Sequence, residues 1–282
     1  MTYYLTGHNH LWYYKIQDTE GEMRDVAQQD SYQFKLQEIR EYKVVKANEL
    51  IQRSRYNLST QEQKIILYLI TKIRPDDSAL MLYEFKVKEF CEICGIDQKS
   101  GKNYHSLKAT IKRLADKSLW TTIDEKGTET LIRWIERPYV NANSGTIKIK
   151  LDELMRPYLL QLKERFTQYC LYYTLAMRSQ YSVRLYEILK SYENIGGWTF
   201  EVDDLKRKLF AETYDRYPDF KRKVIDIAIR EINDFGDIFV TYTVKKQGKK
   251  VSHLVFAINP KVDIDDRLNT WIRIDDVLQI NQ

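Results

Sequence analysis

The chain has 282 residues, 43% hydrophobic and 30% charged, with 10 Gly and 5 Pro. Length and balance permit one large or two medium packed domains and exclude collagen-like, linker-dominated and disordered chains. The formal charge of +5 is uneven: residues 41–260 hold 38 basic and 29 acidic residues, whereas residues 1–40 and 261–282 each carry −2, a footprint suited to a polyanionic partner.

Residues 1–41 are aromatic-rich without a sustained period, and no chemistry is assigned to them. The first helix signal is Ser59 with Glu62 three residues on, a capping box. Ile65, Ile66, Leu69, Ile70 and Ile73 follow at helical spacing until Arg74-Pro75-Asp76-Asp77 stops the run. A strand over Leu82–Val87 comes next. Val87, Phe90, Cys91 and Cys94 then mark one face of a short helix closed by Gly95. A longer helix over Lys102–Ser118 turns Leu107, Ile111 and Leu114 inward. Strands over Leu119–Asp124 and Thr130–Glu136 flank Glu125-Lys126-Gly127, a hairpin turn. A further strand covers Thr146–Leu151. The order is that of a helix-turn-helix followed by a wing, in which the second helix of the pair enters a DNA major groove and the hairpin reaches flanking phosphates.

The order recurs about 115 residues later, the mark of an internal repeat. A helix is expected over Leu175–Tyr192, with Val183, Leu185, Ile188 and Leu189 apolar. A strand over Trp198–Val202 and a short helix over Asp203–Phe210 follow. Pro218 suits a helix start, and Phe220, Val224, Ile227, Ala228 and Ile232 form the inward stripe of the helix it opens. Strands over Asp237–Lys245 and Val251–Asn259 flank the turn Lys246-Gln247-Gly248-Lys249. The fold class expected is α+β: two tandem winged-helix domains related by pseudo-symmetry, over residues 42–151 and 175–260. Residues 152–174 are a connecting segment, 1–41 an unassigned extension and 261–282 an acidic tail.

The cations have a pattern. Lys221, Arg222 and Lys223 cluster in the first turns of the second long helix, just after Arg216, where they oppose the helix dipole unless an anion arrives. Lys245, Lys246, Lys249 and Lys250 crown the last hairpin, and their mutual repulsion is relieved by phosphates. Edge lysines also protect a sheet from aggregation, so the tri-basic helix start beside them tips the reading towards DNA. In the first half, Lys99, Lys102, Asn103, Tyr104, His105, Lys108 and Lys112 line the turn and the candidate recognition helix. There Asn103 suits adenine, and lysines suit guanine or phosphate. Arg53 and Arg55 are weaker candidates.

Other chemistry is not expected. Cys91-x-x-Cys94 is half a zinc site with no second pair, and Cys170 stands alone. His8-Asn9-His10 lacks the apolar middle residue of a nickase metal motif. No phosphate-binding Gly-rich loop and no Ser-His-Asp arrangement stands out. No catalytic residue, metal or cofactor is therefore expected, and a nickase or primase-type enzyme is the remote alternative. No run approaches the ~18 apolar residues of a membrane span, and the first ten residues lack a secretory leader's basic start and apolar run. Three cysteines do not make a disulfide framework, so a cytoplasmic location is expected.

Several strings, in order, resemble the replication initiator (Rep, RepB-like) proteins of iteron-containing plasmids. They are Tyr42-Lys-Val-Val-Lys-Ala-Asn-Glu-Leu-Ile51 with Leu58-Ser-Thr-Gln-Glu-Gln-Lys64; Phe166-Thr-x-Tyr169 with Ser179-x-Tyr-Ser-Val-Arg-Leu-Tyr-Glu-Ile-Leu-Lys190; Phe220-Lys-Arg-x-Val224 with Ala228-Ile-x-Glu-Ile-Asn233; and the wing Lys245-Lys-x-Gly-Lys-Lys-Val251. The resemblance covers residues 42–260. It implies a C-terminal domain that reads iteron repeats in double-stranded DNA and an N-terminal domain that adds contacts and mediates dimerisation. It also implies iteron-binding monomers that help open the origin, and dimers that repress the protein's own gene at an operator. Host DnaA, the replicative helicase, chaperones and a second copy of the chain are the implied partners. By position, Lys221, Arg222 and Lys223 take the reading role, Lys245–Lys250 the wing role, and Arg184 a bracing role. Ile227 stands where family members often have Pro, so a straighter helix is expected. A transcriptional regulator without replication activity is the nearer alternative.

Overall fold

The computed structural model describes residues 3–8, 11–16, 42–74, 77–93, 102–122, 126–141 and 143–280. Tyr3–His8 (β1) and Leu11–Ile16 (β2) pair antiparallel in a unit of their own, Met1–Ile39. Everything from Arg40 onward forms a separate, larger body.

The larger body begins with β3 (Lys43–Ala47), α1 (Asn48–Arg53) and α2 (Thr60–Thr71). The expected capping box starts α2: the Ser59 hydroxyl accepts from the Glu62 amide, and the Glu62 carboxylate accepts from the Ser59 amide at 2.7 Å. Ile65, Ile66, Leu69 and Ile70 are buried, as their spacing requires. Next come β4 (Leu82–Lys86), α3 (Val87–Ile93), α4 (Lys102–Ala115), β5 (Ser118–Thr122), β6 (Glu129–Arg133), β7 (Tyr139–Asn141) and β8 (Thr146–Lys150). Leu107, Ile111 and Leu114 of α4 are buried against the α2 side. Tyr68, Phe85 and Phe90 pack edge to face at their centre, with centroids 5.5 and 5.6 Å from Tyr68.

After the short helix α5 (Arg156–Leu159), β9 (Phe166–Cys170) leads through α6 (Tyr172–Leu175) to α7 (Gln180–Lys190). Then follow β10 (Gly197–Glu201), α8 (Val202–Leu209), α9 (Tyr217–Phe220), a π turn (Lys221–Ile225), α10 (Asp226–Phe235), β11 (Ile238–Gln247), β12 (Lys250–Pro260) and α11 (Ile264–Ile280). The two halves share one topology. The three-stranded sheets run β4-β8-β7 and β10-β12-β11, each formed by the strand before the helix pair and the hairpin after it. These are two winged-helix units.

Four features differ from the sequence reading. The hairpin around Gly127 is not the first unit's wing, because β5 and β6 form a separate two-stranded sheet. The topological counterpart of β11–β12 is β7–β8, whose turn is closed by Asn141 accepting from the Asn143 and Ser144 amides and by Gly145 at φ 62°. Second, the helix expected from Leu175 begins at Gln180. Ser179 caps it through the Tyr181 amide, and Glu231 accepts the Arg178 and Ser179 amides, fixing a break after α6. Third, Ile225 rather than Ile227 lies in the buried stripe with Phe220, Val224, Ala228 and Ile232, because the π turn shifts the phase by a residue. The departure from regular α geometry thus lies upstream of Ile227. Fourth, residues 261–282 hold α11, which buries Thr270, Ile274 and Leu278.

Residues 152–174 do more than span a gap. Strand β9 pairs with β3 along its whole length, from Lys43 opposite Cys170 to Ala47 opposite Phe166. Helix α7 lies beneath, and Arg184 donates to the carbonyls of Ile51 (2.7 Å) and Ser54 (2.9 Å) at the end of α1 while its guanidinium covers the Tyr56 ring at 4.5 Å. The expected bracing role is what these contacts perform. Gln63 Nε2 donates to the Gln180 carbonyl (3.0 Å), and Lys208 to that of Gln52 (2.7 Å), so the two winged-helix units are bound to each other through backbone oxygens.

Candidate nucleic-acid interface

The basic helix start of the second unit is real and mostly solvated. Arg216 occupies the cap position of α9 and is exposed. Arg222 is 73% exposed, with an Asp219 oxygen 3.5 Å from its guanidinium. Lys223 is exposed, its ammonium 5.7 Å from the Tyr214 ring centre. Lys221 is different. Its ammonium contacts both Asp226 oxygens, at 2.7 and 2.9 Å, and Tyr242 of β11 donates to the same carboxylate at 2.8 Å. That hydrogen bond to Asp226 raises the Lys221 pKa. Burial, reinforced by Asp226, pushes the Tyr242 hydroxyl up to about 12. Helix and wing strand are therefore tied together at one carboxylate.

The wing of the second unit projects beyond its core. Inward positions of β11 and β12 are buried up to Val240 and Leu254, whereas everything from Thr243 to Lys250 is exposed. Lys245, Lys246, Lys249 and Lys250 all stand in solvent, with Lys250 3.7 Å from Asp203. The register slips between Lys245 and Lys246, leaving Ser252 as an extra residue on β12. Such a bulge re-aims the side chains beyond it. Gly248 turns the tip at φ 62°.

The first unit presents a weaker cationic surface. Lys108, Lys112 and His105 are exposed on α4. Lys102, Asn103 and Tyr104 lie in its first turn, but their side chains are outside the described residues, as is Lys99 altogether. Its wing turn (Asn141, Asn143, Ser144, Gly145) carries no lysine, and the cations further down are engaged: Lys148 with Glu84 at 3.0 Å, Lys150 with Glu136 at 3.1 Å and Glu153 at 3.2 Å. Arg55 pairs with Glu129 at 3.2 Å and Arg53 with Glu49 at 2.9 Å. Among the described residues, the lysines at a wing tip therefore belong to the second winged-helix unit.

Sequence reasoning missed Asp226 and Tyr242 in this surface. It also missed Arg230, exposed two α-turns beyond Arg222 on α10; its spacing of eight residues was the available signal.

Cys91 is buried, and burial pushes the half-buried Cys170 thiol up, away from reactivity. Cys94, Asn9, His10 and the His8 side chain lie outside the described residues. Among the described residues no group of three or more His, Cys, Asp or Glu side chains is placed to hold a metal ion, and no helix is long and apolar enough to cross a membrane.

Two tandem winged-helix units, each a helix pair followed by a hairpin, define the structural class of the chain. Residues 43–190 match the family model described as initiator replication protein WH1, and residues 201–258 the one described as initiator Rep protein WH2. The chain belongs to this initiator Rep protein family. It is 36% identical to the PI protein of Escherichia coli over 145 residues, 45% of this chain and 47% of that protein. It is 26% identical to a replication initiation protein of Escherichia coli over 228 residues, 76% of this chain and 69% of that protein. An uncharacterized 27.6 kDa protein of the same organism is 22% identical over 232 residues, 77% and 96% of the two chains. The chain thus spans about half the length of the PI protein it matches.

Proposed function

We propose that the protein starts replication of a plasmid by binding tandem repeats in the origin through the second winged-helix unit, with the first unit adding contacts. The observation that carries this is the contrast between the two wing tips. Four solvated lysines stand at the second wing, and Arg216, Arg222 and Lys223 are exposed at the start of the helix that Tyr242 ties to that wing, while the first wing's turn carries no lysine. Arg222 is the best-placed reader of a base edge, being long, planar and nearly unencumbered. The wing lysines supply sequence-independent attraction.

On this reading monomers occupy the repeats and favour opening of the adjacent duplex. Dimers formed through the first unit bind an operator and repress the gene. Host DnaA and the replicative helicase join the opened origin, and the protein contributes binding rather than catalysis. It works in the cytoplasm, where the plasmid is.

The test is a titration of direct repeats flanking the gene, each roughly two helical turns long, against random duplex across a salt series. Preference for the repeats and a steep fall of affinity with salt are the expected results. Equal affinity for both duplexes overturns the reading. Maintenance of the plasmid without the gene product identifies a regulator instead, and a relaxed or covalently tagged product with Mg²⁺ identifies a nickase.

A further inference from the structure

Lys221 and Asp226 are five residues apart. In an α-helix such residues point to different sides, since only i+3 and i+4 neighbours meet. Here they meet because the backbone between them is a π turn: the Asp226 amide donates to the Lys221 carbonyl, and the two side chains close over the same gap. Tyr242 fixes the carboxylate from the wing strand. The motif sits where the helix faces away from the core, with Arg222 and Lys223 exposed between its ends.

We propose that Lys221, Asp226 and Tyr242 form a latch that sets the recognition helix against the wing, and that Asp226 withholds Lys221 from the DNA phosphates. This rests on the reading of that helix as DNA-facing. Its physical content is a carboxylate standing in for a phosphate. An ammonium already bonded to both oxygens of Asp226 gains little by exchanging them for a backbone phosphate, and the negative charge of Asp226 opposes any duplex that approaches. The loss falls on all sequences alike. Arg222, which meets a single oxygen of Asp219 at 3.5 Å, and Lys223, beside the Tyr214 ring, are held less closely and keep their contacts. The latch therefore lowers sequence-independent affinity and raises the ratio of specific to non-specific binding. Asp226 is a positioning and specificity-determining residue.

The experiment measures affinity of the full chain for random duplex at several salt concentrations. Releasing Lys221 with Asp226→Asn adds one phosphate contact, which steepens the log K against log salt slope by about 0.9 and makes affinity fall about three- to fourfold further between 50 and 200 mM salt. Asp226→Glu and Tyr242→Phe keep the anion and are expected to keep the wild-type slope, and adding Lys221→Ala to Asp226→Asn restores it. An unchanged slope in folded Asp226→Asn overturns the proposal. Should that variant not fold, Lys221→Ala alone decides: the proposal requires a wild-type slope, and a slope shallower by about 0.9 overturns it. Because the slopes are read on random duplex, failure of the wild type to prefer the repeats sinks the initiator reading while leaving this measurement intact.

Discussion

Lys46 on β3 and Glu187 on α7 form an ion pair in which the side chains are only 3% and 1% exposed. It is completed by two phenols, Tyr169 and Tyr56, both donating to the Glu187 carboxylate. Four separate segments, around residues 46, 56, 169 and 187, thus converge on one carboxylate at the joint between the winged-helix units. Arg184, one turn earlier on α7, ties the same joint to the backbone of α1. Such a knot adds little stability over apolar residues of the same shape, but it fixes one arrangement of the joint.

Removing one partner should be severe. Glu187→Gln leaves Lys46 charged and buried, and urea titration should show a loss of about 3–5 kcal/mol. Lys46→Met combined with Glu187→Gln should lose less than the two single changes added together. The pH dependence follows from the direction of the Glu187 shift. Burial alone raises its pKa, but Lys46 and Arg184 outweigh burial and hold it below the ordinary value. A group depressed in the folded state contributes stability that is present above its unfolded pKa and is lost as pH falls through the folded one. Wild-type stability should therefore decline in acid below about pH 4.3, the ordinary Glu range, and the Glu187→Gln variant should lack that component.

On the proposed function, Arg222→Ala and Lys249→Ala should separate readout from attraction. Loss of a base-reading arginine costs about 1–3 kcal/mol on the repeats and relaxes preference at one position. Loss of the wing lysine should weaken every duplex alike and reduce the salt slope by about 0.9. Competition binding with single-base variants of the repeat distinguishes the two. Identical profiles for both variants would remove Arg222 from the reading role.

What the sequence made legible was local or periodic. Ser59 and Glu62 announce a cap by themselves, and the alternation in β11 and β12 places the second wing. The Glu125-Lys126-Gly127 signal was as strong, yet it drew attention from the actual first wing, whose turn rests on one Asn side chain and Gly145. Pairing of β3 with β9 joins residues more than 115 apart and leaves no local trace. The Lys221–Asp226 pair was hidden because its spacing has meaning only once a π turn exists. Helix α11 was hidden for another reason. Its buried Thr270, Ile274 and Leu278 alternate with exposed Ile264, Leu268 and Ile272, so apolar residues lie on two sides and blur the helical period.

Gly197 should not tolerate a side chain. A Cβ there would press into the Phe256 carbonyl oxygen on the neighbouring strand β12. The backbone cannot yield without breaking the Gly197–Ala257 and Trp198–Phe256 pairing that seats β10. Gly197→Ala should cost about 1–3 kcal/mol, the usual penalty of overpacking, with faster amide exchange across β10. A variant as stable as wild type would show that β10 is free to move outward.

The C-terminal helix gives the last prediction. Lys261 donates to the Asn233 carbonyl (2.6 Å) and to Thr270 (3.0 Å), Trp271 donates to Tyr173 (3.2 Å), and Tyr172 donates to Asp275. Ile274 is fully buried. Helix α11 is thus held to α6 and to the end of α10 by both polar and apolar contacts, although its net charge is opposite to that of the lysine-rich wing tip. Ile274→Ala should cost about 2–5 kcal/mol through the cavity it leaves. Ile272→Ala, two residues away on the exposed side, should stay within about 0.5 kcal/mol. Thermal unfolding of the pair is the measurement. Equal stabilities would mean that α11 does not dock as described, whereas the expected difference makes residues 261–280 an integral part of the second winged-helix unit.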